Sequence, residues 1–170
     1  EPRLTERHAG EKMIFLSPLD PSKQSRVIAD NPKDAMVFLD TIEYYIKNNP
    51  VELKKVFGEV DGVFLNEEEA RMIAKTPNFL KSGKTIWDLG PRIVVIKKGE
   101  NWCLLFFDGA VHAFPAHPLE EVVEPTGAGD CFAGGFIGSL ERSKCRIDSK
   151  TLKKAVGYGT VLGSFVVEKF

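Results

Sequence analysis

One stretch of the chain concentrates the residue types that do chemistry: Glu124-Pro125-Thr126-Gly127-Ala128-Gly129-Asp130-Cys131-Phe132-Ala133-Gly134-Gly135. The apolar pair Val122-Val123 leads into two glycines flanking an alanine, then a lone carboxylate, then small and apolar residues of helical character. Glycine is about 1 kcal/mol worse than alanine inside a helix, so glycines at the mouth of one need a reason. One reason is packing, with Asp130 merely complementing the helix dipole. The other is close approach of a ligand. The bare N–H groups of a first turn can wrap an anion, and the dipole favours negative charge there. On that reading Thr126, Gly127, Ala128 and Gly129 form an anion cradle, and Asp130 sits beside it to take a proton from an attacking hydroxyl. That chemistry is phosphoryl transfer. Gly134 and Gly138, one turn apart, are expected to let the helix pack tightly on a sheet.

Three further clusters could join this one. Asn66-Glu67-Glu68-Glu69 has the spacing of a capping box, with acids in the first turn of a helix. Lys98-Gly99 follows an apolar run and reads as a strand-to-hairpin turn, and Asp40 ends another apolar run. Gly157-Tyr158-Gly159-Thr160 offers small residues suited either to packing or to a flat ligand. Lys81-Ser82-Gly83-Lys84-Thr85 imitates the end of a phosphate-binding P-loop, but Asn78 stands where that loop needs glycine and no strand precedes it. His8, His112 and His117 lack ligand-like spacing.

The elements that must position these residues follow from pattern. Met13–Leu16, Ala35–Asp40, Gly62–Leu65 and Ile93–Lys97 are short apolar runs of the kind buried in a parallel sheet. Helices are expected from Pro21 with Asp20 as N-cap, around Ile42 to Lys47, from Pro50 to Phe57, from Asn66 to Lys75 and from Asn78 to Asp88. Trp102–Phe107 and Ala110–Ala116 flank Asp108-Gly109, a strong hairpin signal. The glycine turn then opens a helix reaching about Glu141, and a last helix runs from Ser149 to Glu168. Alternating strand and helix, closed by a hairpin and two helices, indicate an α/β fold: a mainly parallel sheet with a late antiparallel portion. In such sheets ligands gather at the carboxyl ends of the strands. Asp40, Asn66 to Glu69, Lys98-Gly99 and Gly127 to Asp130 all fall at that edge.

Composition narrows the function. At 170 residues, 43% hydrophobic and 28% charged, the chain suits one globular domain with a substantial core. Residues 1–12 read as a flexible terminus or linker remnant and 13–170 as the α/β domain. A net charge of −1 gives no electrostatic case for nucleic acid or an acidic membrane. No apolar run has the length of a membrane span, and Glu1-Pro2-Arg3 begins nothing like a signal peptide. Cys103, Cys131 and Cys145, at unrelated spacing, suggest reduced thiols and a cytoplasmic location.

Pro125-Thr126-Gly127-Ala128-Gly129-Asp130-Cys131-Phe132-Ala133-Gly134-Gly135-Phe136 resembles the signature of the PfkB (ribokinase-like) carbohydrate and nucleoside kinases. Val63-Phe64-Leu65-Asn66-Glu67-Glu68-Glu69 resembles that family's strand ending in N-x-x-E, and Ile93 to Gly99 its strand and K-x-G turn. Trp102 replaces the second glycine that often follows this turn. The resemblance implies a three-layer sheet with helices on both faces and ATP-dependent phosphorylation of a hydroxymethyl group on a small sugar or nucleoside. Asp130 would be the general base. Asn66, Lys98, Gly99 and Gly159 would lie near ATP, and Asn66 and Glu69 would organise Mg2+, through water. It covers only the C-terminal portion of the family, whose N-terminal part and β-lid are not apparent here. The alternative is a non-catalytic nucleotide-binding fragment or subunit that needs a partner segment, and a homodimer is also open.

Overall fold

The structure, a computed structural model, describes residues 2–8, 10–31 and 35–169. Glu1, Ala9 and Phe170 lie outside the described residues, and with them that part of the expectations for the first segment and for the end of the α/β domain. The chain divides after Lys97 into two compact units.

In the first unit, a 3-10 turn at Glu6–His8 precedes four strands: β1 (Met13–Leu16), β2 (Met36–Asp40), β3 (Gly62–Asn66) and β4 (Ile93–Lys98). They pair in parallel and in chain order, with Leu16 opposite Leu39, Leu39 opposite Val63 and Asn66 opposite Lys97. The connections are helical: α1 (Pro21–Ala29), α2 (Glu43–Asn48), α3 (Pro50–Phe57), α4 (Glu67–Ala74) and α5 (Phe79–Trp87). Side chains cap the starts of α1 and α5, whereas α2 and α3 have no side-chain cap. Asp20 caps α1, accepting from Ser22 N, with Pro21 in the first turn, where its missing N–H costs nothing. Asn78 caps α5 by accepting from Lys81 N.

β2, β3 and β4 read as continuous apolar runs because both their faces are covered: Val37, Phe38, Leu39, Val63, Phe64, Leu65 and Val94 to Ile96 are all buried. Phe38 stacks on Phe64 with ring centroids 5.8 Å apart, and Phe15 meets Phe64 edge-on at 6.1 Å. Gly62, opposite Phe38, is what admits that ring: a Cβ there would lie 2.6 Å from two of its carbons.

In the second unit, β5 (Trp102–Phe107) and β6 (Ala110–Pro115) form an antiparallel pair. Asp108 and Gly109 both take positive φ, 50° and 74°, as the expected two-residue hairpin requires. α6 (Ala128–Arg142) and α7 (Ser149–Lys169) follow. The architecture is the α/β fold expected, mainly parallel with a late antiparallel hairpin. Among the described residues no helix is long and apolar enough to cross a membrane.

Candidate active site

The glycine turn is built from the bottom by a carboxylate. Glu124 accepts from both the Thr126 N–H (3.0 Å) and the Thr126 hydroxyl (2.6 Å) through one oxygen, and these bonds hold its carboxyl below the usual carboxylate range. Behind it, the Val123 N–H donates to the Val167 carbonyl of α7 at 3.0 Å, tying the turn to the end of that helix. Gly127 is then the N-cap residue of α6 with φ 83° and ψ −8°, and no side chain caps the helix. That left-handed conformation is the turn's requirement for glycine.

The consequence is a helix start with donors to spare. The Ala128 N–H donates to the Pro125 carbonyl at 3.2 Å, and the Cys131 N–H to the Gly127 carbonyl at 3.0 Å. Among the described residues the N–H groups of Gly127, Gly129 and Asp130 have no protein acceptor. The donors of Thr126 are engaged by Glu124, so Thr126 shapes the turn. Asp130 is exposed and its carboxylate has no ion pair or hydrogen bond among the described residues. Around it lies an open depression of about 540 Å³ lined by Glu124, Thr126, Gly127, Asp130, Cys131 and Val166. Exposed N–H groups at the positive end of a helix, with an unpaired carboxylate alongside, can bind an anion and accept a proton next to it.

Glycines also set α6 against α7, though not the pair expected. Gly134 and Gly138 are exposed, with nothing within 4 Å of a notional Cβ. Gly135 is the close-contact residue: a Cβ there would come within 2.9 Å of the Tyr158 carbonyl and 3.1 Å of the Gly159 Cα. A Cβ on Gly159 would lie 2.8 Å from the Phe132 carbonyl, and one on Gly163 3.2 Å from that of Ala128. Gly159 is thus buried in the helix–helix contact, while Gly157 and Tyr158 face outward.

Lys98 and Gly99 form the β4–β5 turn, where the Asn101 N–H donates to the Lys98 carbonyl at 3.0 Å and Gly99 has φ 47°. Trp102, at the place of the family's second glycine, receives the Lys98 ammonium over its ring at 5.4 Å.

In the first unit the strand ends gather a polar cluster. Asn66 and Glu69 make a reciprocal capping box: Asn66 Oδ1 accepts from the Glu69 N–H and Glu69 Oε2 from the Asn66 N–H, both at 2.8 Å. Asp40, at the end of β2, pairs with Lys97 near the end of β4 at 3.6 Å. Burial pushes the Glu69 carboxyl up to about 7, with the charge of Asp40 acting in the same direction and the Asn66 N–H and Lys97 opposing. Mg2+ takes oxygen ligands and keeps several waters. This oxygen-bearing cluster, with two buried carboxylates to one ammonium, fits an outer-shell role. No group of three or more His, Cys, Asp or Glu among the described residues could hold an ion directly.

Sequence reasoning missed Glu124 as the organiser of the turn and Lys97 as the partner of Asp40. A carboxylate two residues before Thr126 was a readable signal for the first. The Asp40–Lys97 pair depends on strand order and had no local signal.

A parallel α/β sheet followed by a hairpin and a glycine turn opening a helix defines a ribokinase-like kinase fold. The chain belongs to the pfkB family of carbohydrate kinases, whose family model matches residues 21–170. It is 34% identical over 147 residues to a cytidine kinase of Thermococcus kodakarensis, covering 83% of this chain and 52% of that protein. The aminoimidazole riboside kinase of Salmonella enterica, solved with aminoimidazole riboside and an ATP analog, superposes with a TM-score of 0.76 at 21% identity, over 92% of this chain and 56% of that one. A ribokinase of Thermotoga maritima gives 0.77 at 21% identity, over 94% and 51%. The chain therefore spans about half the length of the relatives it matches.

Proposed function

We propose that the chain supplies the nucleotide-binding and catalytic half of an ATP-dependent kinase acting on the hydroxymethyl group of a nucleoside or small sugar. The observation that carries this reading is the start of α6: among the described residues, unaccepted N–H groups at Gly127, Gly129 and Asp130 beside an exposed, unpaired Asp130 carboxylate. Asp130 accepts the proton of the acceptor hydroxyl as its oxygen attacks the γ-phosphorus of ATP. The bond to the β–γ bridging oxygen breaks and ADP leaves. The N–H groups of the first turn stabilise the negative charge on the transferring phosphoryl oxygens, and such stabilisation dominates catalysis of phosphoryl transfer. Asn66 and Glu69 would hold Mg2+ through water, and Mg2+ supplies charge neutralisation on the nucleotide phosphates. Lys98-Gly99 borders the nucleotide. The cytidine kinase relative favours a nucleoside as acceptor, and the three cysteines, none in a disulfide, suit a reducing cytoplasm.

A second reading follows from the half-length match: a nucleotide-binding subunit whose catalysis requires a partner segment. The test for both is ADP release with ATP, Mg2+ and a panel of nucleosides and sugars, in the presence and absence of the relative's unmatched half. Asp130→Asn should lower turnover by about 10²–10⁴-fold, the usual worth of a general base, while ATP binding persists. Retained turnover in Asp130→Asn contradicts the assigned role.

A further inference from the structure

The second unit separates its charges. From Gly99 to Glu141 the chain carries seven acids and no lysine or arginine, whereas the next 13 residues, Arg142 to Lys154, carry six cations and one acid. The net charge of −1 averages the two away. Screening keeps them distinct: the 15-residue α6 sets this basic corner roughly 22 Å from the turn at its start, beyond the screening length of about 8 Å at physiological salt. Half of the corner is explained by the helix it follows, since Arg142, Lys144 and Arg146 suit the negative end of α6. Lys150, Lys153 and Lys154 have no such explanation. They occupy the first two turns of α7, where the dipole disfavours cations, at the i, i+3 and i+4 spacing at which like charges repel. Asp148, the one acid, pairs with Arg146 and accepts from the Thr151 N–H at 2.8 Å. All six cations are exposed, and among the described residues Arg146 alone of them has an ion pair. Charges that work against the helix bearing them point to a partner outside the chain.

We infer that the corner from Arg142 to Tyr158 binds single-stranded nucleic acid through its phosphates. Two observations choose this partner. Among the described residues no large apolar side chain is exposed between 142 and 157. The corner therefore lacks the apolar face with which a peripheral helix enters a membrane, and it lacks the desolvated, lysine-poor core of a protein interface. Phosphate contacts need neither, because they are ionic and are made by Lys and Arg. The second observation is that the lysines lead to an aromatic ring. Lys150, Lys154 and Tyr158 follow one another at i, i+4 and i+8, with the Lys154 ammonium 5.8 Å from the centre of the Tyr158 ring and Tyr158 46% exposed. A cationic track ending on an aromatic face suits a flexible strand, whose phosphates meet the cations while a base stacks on the ring. The inference is independent of the role given to Asp130.

The test is fluorescence anisotropy of this chain with labelled oligouridylate and oligothymidylate of about 20 nucleotides, longer than one site. With the five cations that lack an ion pair engaged, affinity should fall about 100-fold between about 50 and 200 mM salt. Lys150→Gln, Lys153→Gln and Lys154→Gln together should lower affinity at least tenfold at about 50 mM salt and flatten that dependence to about sevenfold. Tyr158→Ala should weaken binding about tenfold, and Tyr158→Phe should leave it within about twofold. Lys54→Gln with Lys55→Gln, exposed on α3, should change nothing. Circular dichroism checks the fold of each variant, and Lys150→Gln with Lys154→Gln replaces the triple variant if that one unfolds. Four results overturn the inference. They are no binding at about 50 mM salt, binding indifferent to the lysine variants or to Tyr158→Ala, binding displaced by ATP and Mg2+, which would put the strand at the α6 turn instead, and tighter binding of phosphatidylserine vesicles or polyglutamate than of either oligonucleotide. A chain that binds the strand as expected but has no kinase activity would sink the catalytic reading and leave this one standing.

Discussion

Two residues carry predictions that separate shape from charge. Gly127 holds φ 83°, a conformation that costs a non-glycine residue about 1–2 kcal/mol. A Cβ there meets only Val166 Cγ1, at 3.7 Å, so strain and not collision is the penalty. Gly127→Ala should lower unfolding free energy by about 1–2 kcal/mol, measured by urea denaturation. Glu69 concerns charge. Its carboxyl rises from 4.5 to about 7 on folding, so between these values the folded chain keeps a proton that the unfolded chain has released. The stability tied to this group is full below the unfolded value and falls as pH rises toward 7. Glu69→Gln keeps an acceptor for the Asn66 N–H and removes the titration. It should stabilise the chain by about 1–3 kcal/mol at about pH 8 and by little at about pH 5. Equal effects at both pH values would contradict the burial argument.

At the scale of elements, the contact between α6 and α7 makes the glycines unequal. Gly135→Ala and Gly159→Ala each push a methyl group into opposing backbone and should cost about 1–3 kcal/mol. Gly134→Ala and Gly138→Ala, exposed and unobstructed, should gain up to about 1 kcal/mol through helix propensity. Thermal unfolding of the four variants decides the matter, and a uniform response would refute the packing described. This contrast also marks what the residues alone could reveal. The hairpin at Asp108-Gly109 and the capping box at Asn66 and Glu69 were legible because their hydrogen bonds are local. The phase of α6 was not, because which of Gly134, Gly135 and Gly138 meets α7 depends on a partner helix. The meeting of Asp40 with Lys97 likewise required the order of β2, β3 and β4.

At the scale of the molecule, the chain has the fold of a kinase family over a span about half that of its relatives. The account depends most on the start of α6 being an anion cradle. The direct measurement is the amide chemical shifts of this chain followed by NMR while ATP and Mg2+ are added. The account predicts saturable shifts, largest at Gly127, Gly129 and Asp130. Nucleotide binding that leaves these three amides unmoved, or a folded chain that binds no nucleotide at all, would contradict it.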